Sequence, residues 1–261
     1  MKLKDIFNEG IQHADTLVLL YDNLLSKSAR SVRPEWRKRF FEAKLVSWPK
    51  RGDLWRSKNE NLLIVGPGGK GLSHKTFSSE KLEVLLRSAL VFAMAAVDKV
   101  LHEAVSKQFV SLVQDKKLDK LVKLDLSTAY EIAQGARIRK GKGGKIWSRP
   151  GHALKRKVLE GLYRESFLSL HKIEEISGIC GRKRIFEGFR RNMRLRNKTE
   201  QLKSKWVTLY QYRNSIAHEC DIVRKAKARK IHYRQIKPKE IKEDIDFIKS
   251  FGSFLAGEFD K

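Results

Sequence analysis

The sequence predicts an all-α fold, a helical bundle carrying a short β-containing loop insertion, on three grounds. Apolar residues recur at three- and four-residue spacing through several long segments. Glycine and proline gather in two stretches between those segments. Strand-like patterning is confined to short pieces, with no internal repeat. At 261 residues the chain can bury a substantial core as one large domain or two small ones, and a single domain over residues 1–261 is the simpler expectation.

From Ile6 to Leu25 the apolar positions Ile6, Ile11, Ala14, Leu17, Val18, Tyr21, Leu24 and Leu25 mark an amphipathic helix. A second helix is expected after Pro34, carrying Trp36, Phe40, Phe41 and Leu45. Residues 49–74 then break the pattern with Pro49, Gly52 and Pro67 around a β-prone piece, Leu62 to Val65, and read as a loop or hairpin insertion. Its run Gly66-Pro67-Gly68-Gly69-Lys70-Gly71 lacks the Lys-Ser or Lys-Thr that a phosphate-binding loop needs, so it reads as a plain loop.

The strongest helical signal begins at Ser79. Leu82, Leu85, Leu86, Ala89, Leu90, Ala93, Val97, Val100, Leu101, Ala104 and Val105 draw one stripe, and Val91, Phe92 and Met94 predict a middle buried on all sides, in the core or against another subunit. Weak periodicity from Phe109 to Ala133 is followed by a basic glycine-rich loop, residues 135–151. Helices are expected from His152 to Ser169 and from Ile173 to Ile179, then a cationic stretch in which Phe186 and Phe189, three apart, read as core anchors. A helix from Lys203 to Glu219, β character around Ile231 to Tyr233 and a last helix marked by Ile241, Ile245, Ile248, Phe251, Phe254 and Leu255 complete the chain.

Lys and Arg total 56 against 30 Asp and Glu, a net +26 that concentrates polyanions and makes nucleic acid the expected partner class. The loop cations Arg137, Arg139, Lys140, Lys142, Lys145 and Arg149, with Arg190 and Arg191 further on, are candidate RNA contacts; glycine lets backbone amides approach phosphates and Trp147 offers a stacking ring. Cys180 and Cys220 are too few and too far apart for a metal-spaced pair and read as free thiols in a reducing compartment. The start has no signal-peptide pattern and the longest apolar run, Ala89 to Val97, is too short to span a bilayer, so a cytoplasmic protein with no membrane contact is expected.

The segment with chemistry is Arg213-Asn214-Ser215-Ile216-Ala217-His218. It sets a permanent cation and the side chain that titrates near neutral pH on one helix. Trp206, Leu209, Tyr210, Arg213, Ile216 and Ala217 fall on one side, so the guanidinium sits on an apolar stripe and must meet an anion, a cleft or a subunit boundary. Tyr210, Asn214 and His218 step by four along the adjacent edge, which lets Asn214 support the imidazole. Arg213 and His218 lie roughly 140° and 7.5 Å apart on an ideal helix, so two such helices about a two-fold axis would bring both pairs into one cleft, and a homodimer is expected. On the helix from Ser79, Asp98 and His102 share a face with Glu103 beside them; a carboxylate holding a structural imidazole is the first reading, the lining of a site the second.

The suggested reaction is cleavage of RNA by its own 2′-hydroxyl, with imidazole moving protons and Arg stabilising phosphorane charge, and it requires no metal and no cofactor. Arg213-Asn214-Ser215-Ile216-Ala217-His218-Glu219-Cys220-Asp221, the earlier Ala96-Val97-Asp98-Lys99-Val100-Leu101-His102-Glu103 and the closing Ile-rich helix resemble the RiboL-PSP branch of the HEPN superfamily, over most of the chain. That resemblance implies a HEPN-like bundle and a dimeric, metal-independent endoribonuclease in a toxin, restriction or anti-phage defence setting, with a cognate antitoxin or defence partner. Arg213 and His218 would be its catalytic pair, Asn214 their support, and Asp98, His102, Glu103 and Tyr210 a supporting set. The competing expectation is a non-catalytic basic helical module that holds RNA or DNA and recruits a partner.

Overall fold

The computed structural model describes residues 2–28, 79–114, 162, 165–194, 196, 198–222 and 234–261. It is all-α: the described residues form six helices, α1 (Leu3–Ser28), α2 (Ser79–Gln114), α3 (Leu170–Ile179), α4 (Ile185–Asn192), α5 (Thr199–Glu219) and α6 (Pro238–Phe259). The expected helix after Pro34, the insertion at 49–74, the loop at 135–151 and the strand-prone piece at 231–233 lie outside the described residues. Two compact units emerge, Met1–Asp15 with Arg87–Lys261, and Thr16–Leu86.

The larger unit is built on the apolar stripe of α2. Ala89, Leu90, Ala93, Met94, Val97, Val100 and Leu101 are fully buried, as are Trp206 of α5 and Ile248, Phe251 and Leu255 of α6. Small residues let the helices approach closely: a Cβ on Gly10 would come within 3.1 Å of Ala96 Cβ, and one on Gly252 would clash with the Cε2–Cζ edge of the Phe7 ring and lie 3.0 Å from Val97 Cγ2. Phe251 collects the aromatic rings, stacking on Phe186 at 4.8 Å and meeting Phe189 at 5.1 Å and Trp206 at 5.0 Å. Phe186 and Phe189 are thus core anchors, as their spacing predicts. The Asp260 carboxylate accepts the free amides of Leu3 at 2.9 Å and Lys4 at 3.1 Å and so caps the N-terminus of α1 from the far end of the chain.

The middle of α2 is not covered on all sides. Phe92 is 46% exposed, resting 5.7 Å from the His13 ring, and Ala95 and Lys99 are open to solvent. Residues 165–168, expected within a helix reaching Ser169, run without regular structure, and the Ser169 hydroxyl caps α3 by accepting the Lys172 amide at 3.3 Å. This irregular segment is fixed from α5, whose Trp206 indole donates to Leu168 O at 2.7 Å. In the smaller unit Tyr21, Leu82 and Leu86 are buried, whereas Leu19 and Val84 are 62% and 56% exposed. No helix among the described residues is long and apolar enough to cross a membrane.

Candidate functional site

The motif lies on the last two turns of α5, a helix whose start is set by Gln201 Oε1 accepting the Lys198 amide at 2.9 Å. Arg213 is half-buried and directs Nη1 to Asn214 Oδ1 at 3.0 Å, while its Nε–H is buried with no hydrogen-bond partner among the described residues. Asn214 therefore holds the guanidinium, and its carbonyl oxygen is not turned to the imidazole. His218 is exposed in the final turn, where a positive charge favours the helix dipole. Tyr210 is half-buried on the same helix.

Asp98 of α2 is the carboxylate that feels the Arg213 charge, with no direct ion pair between the two. Its Oδ1 accepts the Phe167 amide at 2.8 Å, and the charges of His102 and Arg213 both act on it. Burial dominates and pushes the Asp98 carboxyl above its usual range; the Phe167 amide, the neighbouring His102 and Arg213 and the nearby Ser166 hydroxyl oppose that without cancelling it. His102 Nε2 lies 2.9 Å from Glu165 O and 3.8 Å from Asp98 Oδ1, and its ring stacks on Phe167 at 4.3 Å. A carbonyl oxygen only accepts, so the Nε2 atom carries the proton and a neutral His102 keeps Nδ1 as its acceptor.

The fold thus gathers Asp98 and His102 with Arg213 and Asn214, across two helices and the irregular 165–168 segment. Glu103 is 7% exposed and pairs with Lys99 at 3.2 Å. Arg190 and Arg191 close the last turn of α4, with Arg191 exposed and 3.7 Å from Glu187. The six loop cations from Arg137 to Arg149 lie outside the described residues. An open groove of about 370 Å³ on α5 and α6 includes none of the motif residues. Its charges are already matched, Lys237 with Glu240 at 2.7 Å and Asp244 with Lys205 at 2.9 Å.

Comparison with protein-family models, curated proteins and solved structures finds no match for this chain.

Two features went unassigned in the sequence. The Glu165–Leu168 segment was expected to be helical, and only the serine at its end hinted otherwise. The second is Asp221, which closes the motif segment yet carries no expected role. Its carboxylate is fully buried, 2.7 Å from Arg87 Nε and 3.6 Å from Arg234 Nε, and its Oδ2 accepts the Tyr212 hydroxyl at 3.2 Å. Burial and the Asp221 charge together push the Tyr212 phenol well above its usual range. Among the described residues no group of three or more His, Cys, Asp or Glu side chains is placed to hold a metal ion. Both cysteines are free; burial raises the Cys180 thiol to about 12 against the pull of Arg182, whereas Cys220 is exposed.

Proposed function

We propose that this chain is a HEPN-type endoribonuclease that cleaves RNA without a metal, by attack of a 2′-hydroxyl on the adjacent phosphodiester. The observation carrying the reading is the position of the motif beside the Asp-x-x-x-His helix: Asn214 holds the Arg213 guanidinium, whose charge acts on the Asp98 carboxylate, and His102 lies 3.8 Å from that carboxylate. In the reaction the 2′-oxygen forms a bond to phosphorus, the bond from phosphorus to the 5′-oxygen breaks, and the leaving oxygen takes a proton. His218 moves that proton or accepts the one from the 2′-hydroxyl, and Arg213 stabilises the charge on the phosphorane oxygens. RNA is drawn in by the net +26.

One copy of α5 carries Arg213 half-buried and His218 exposed five residues on, with the two side chains diverging around the helix. A second copy completes the cleft in this account, so the active species is a homodimer. Such an enzyme suits a toxin or anti-phage defence effector restrained by a cognate antitoxin or defence partner. Single-turnover cleavage of labelled RNA tests it: Arg213→Ala and His218→Ala are each expected to lose about 10²–10⁴-fold in rate with RNA affinity retained. Full activity in either variant refutes the assignment.

The exposure of His218, with no hydrogen-bond partner among the described residues to fix its tautomer, favours a second reading. There the chain is a non-catalytic basic module that binds RNA or DNA and recruits a partner. It predicts salt-sensitive binding that survives His218→Ala and yields no product.

A further inference from the structure

A helix end often turns through one left-handed residue, and that residue is usually glycine. After α5 two consecutive side-chain-bearing residues, Cys220 and Asp221, adopt φ of 51° and 57°. Such a conformation persists only where surrounding contacts impose it. Here the contacts are visible. The turn sends the Asp221 carboxylate back into the protein, where Oδ2 meets Arg87 Nε at 2.7 Å and the Tyr212 hydroxyl at 3.2 Å. Arg87 also donates through Nη2 to Arg234 O at 2.5 Å, and the Arg234 amide donates to Asp221 O at 2.9 Å. The Asp221 amide returns to Ser215 O at 3.1 Å, inside the motif.

These bonds bracket the motif. Tyr212 immediately precedes Arg213, and Asp221 follows His218 by three residues, so one buried carboxylate grips α5 on both sides of the reactive segment and ties it to α2 through Arg87. We propose that Asp221, clamped by Arg87, is a positioning residue that fixes the last turn of α5 and with it the direction of the His218 imidazole. This inference rests on the endoribonuclease reading only for its effect on rate; the clamp itself concerns the geometry of His218. A surface ion pair would have little influence, but Asp221 is fully buried and Arg87 nearly so. Among the described residues, removing Arg87 leaves the carboxylate with only the more distant Arg234 guanidinium at 3.6 Å and the Tyr212 hydroxyl, an imbalance that the turn must move to relieve.

The test compares full-length wild type with Arg87→Met, which keeps the aliphatic stem and removes the donors, and Arg87→Lys, which restores the charge without the fork. The His218 ring signals in the NMR spectrum, assigned by their loss in His218→Ala, report position independently of catalysis. In Arg87→Met they are expected to shift, the cleavage rate to fall by about 10²-fold with RNA affinity unchanged, and Arg87→Lys to recover part of both. Unmoved His218 signals in a folded Arg87→Met protein overturn the proposal, whatever the rate. Shifted signals in a protein whose wild type leaves RNA intact uphold the clamp and sink the nuclease reading instead. Should Arg87→Met not fold, Tyr212→Phe removes a single donor from Asp221 and is read by the same signals.

Discussion

Replacing Asp98 by Ala and by Asn separates what its oxygen does from what its charge does. The Phe167 amide, on a residue only 2% exposed, donates to Asp98 Oδ1 at 2.8 Å. Alanine leaves that buried donor unpaired, at about 1–3 kcal/mol, while asparagine keeps an acceptor of the same shape. Asp98→Ala is therefore expected to fall below Asp98→Asn by about 2 kcal/mol in urea unfolding at neutral pH. The charge acts in the opposite direction. Burial raises the folded-state pKa of Asp98 above 3.8, so the stability contributed by its protonated form is complete below that value and is lost as pH rises through the folded one. Asparagine cannot ionise and escapes that loss. The stability of Asp98→Asn relative to wild type should thus improve as pH rises above about 4 and then level off. Equal destabilisation by Ala and Asn, or a difference between Asn and wild type that does not change with pH, refutes the reasoning.

Other substitutions probe the frame that holds the site. Gly252→Ala drives a methyl into the edge of the Phe7 ring and against Val97, and overpacking of this kind is expected to cost about 1–3 kcal/mol, read as a lower Tm. Cys220→Gly relieves a side chain from φ of 51° and is expected to stabilise by up to about 1 kcal/mol in the same melts. For Asp260, burial raises the pKa but the Leu3 and Lys4 amides and Lys107 outweigh it and leave it lowered. Its contribution is present above the unfolded pKa and disappears as pH falls through the folded one, so Asp260→Asn should destabilise at neutral pH and match wild type in strong acid.

The helices were legible because burial repeats with the helical period. The stripe of α2 and the isoleucines of α6 name their own buried faces, and Pro238 marks the start of α6. The motif helix and the pairing of Asp98 with His102 could be read for the same reason, since local spacing alone sets which residues share a face. What could not be read depends on contacts distant in sequence. Arg87 and Asp221 are 134 residues apart, and no periodicity joins them. The irregular Glu165–Leu168 segment owes its conformation to Asp98 and Trp206, which hydrogen-bond its backbone from two other helices. Phe92 shows the converse, for an apolar residue in a strong stripe region signals burial without saying which side stays open.

His218 and Arg213 are proposed to cleave RNA through its 2′-hydroxyl with no metal. The most direct measurement incubates total RNA with wild-type and His218→Ala protein, both in excess EDTA, and identifies the fragment ends. Fragments are expected from wild type alone, each ending in a 2′,3′-cyclic phosphate. Intact RNA in both reactions while RNA binding persists, or equal cleavage by the two proteins, contradicts that proposal.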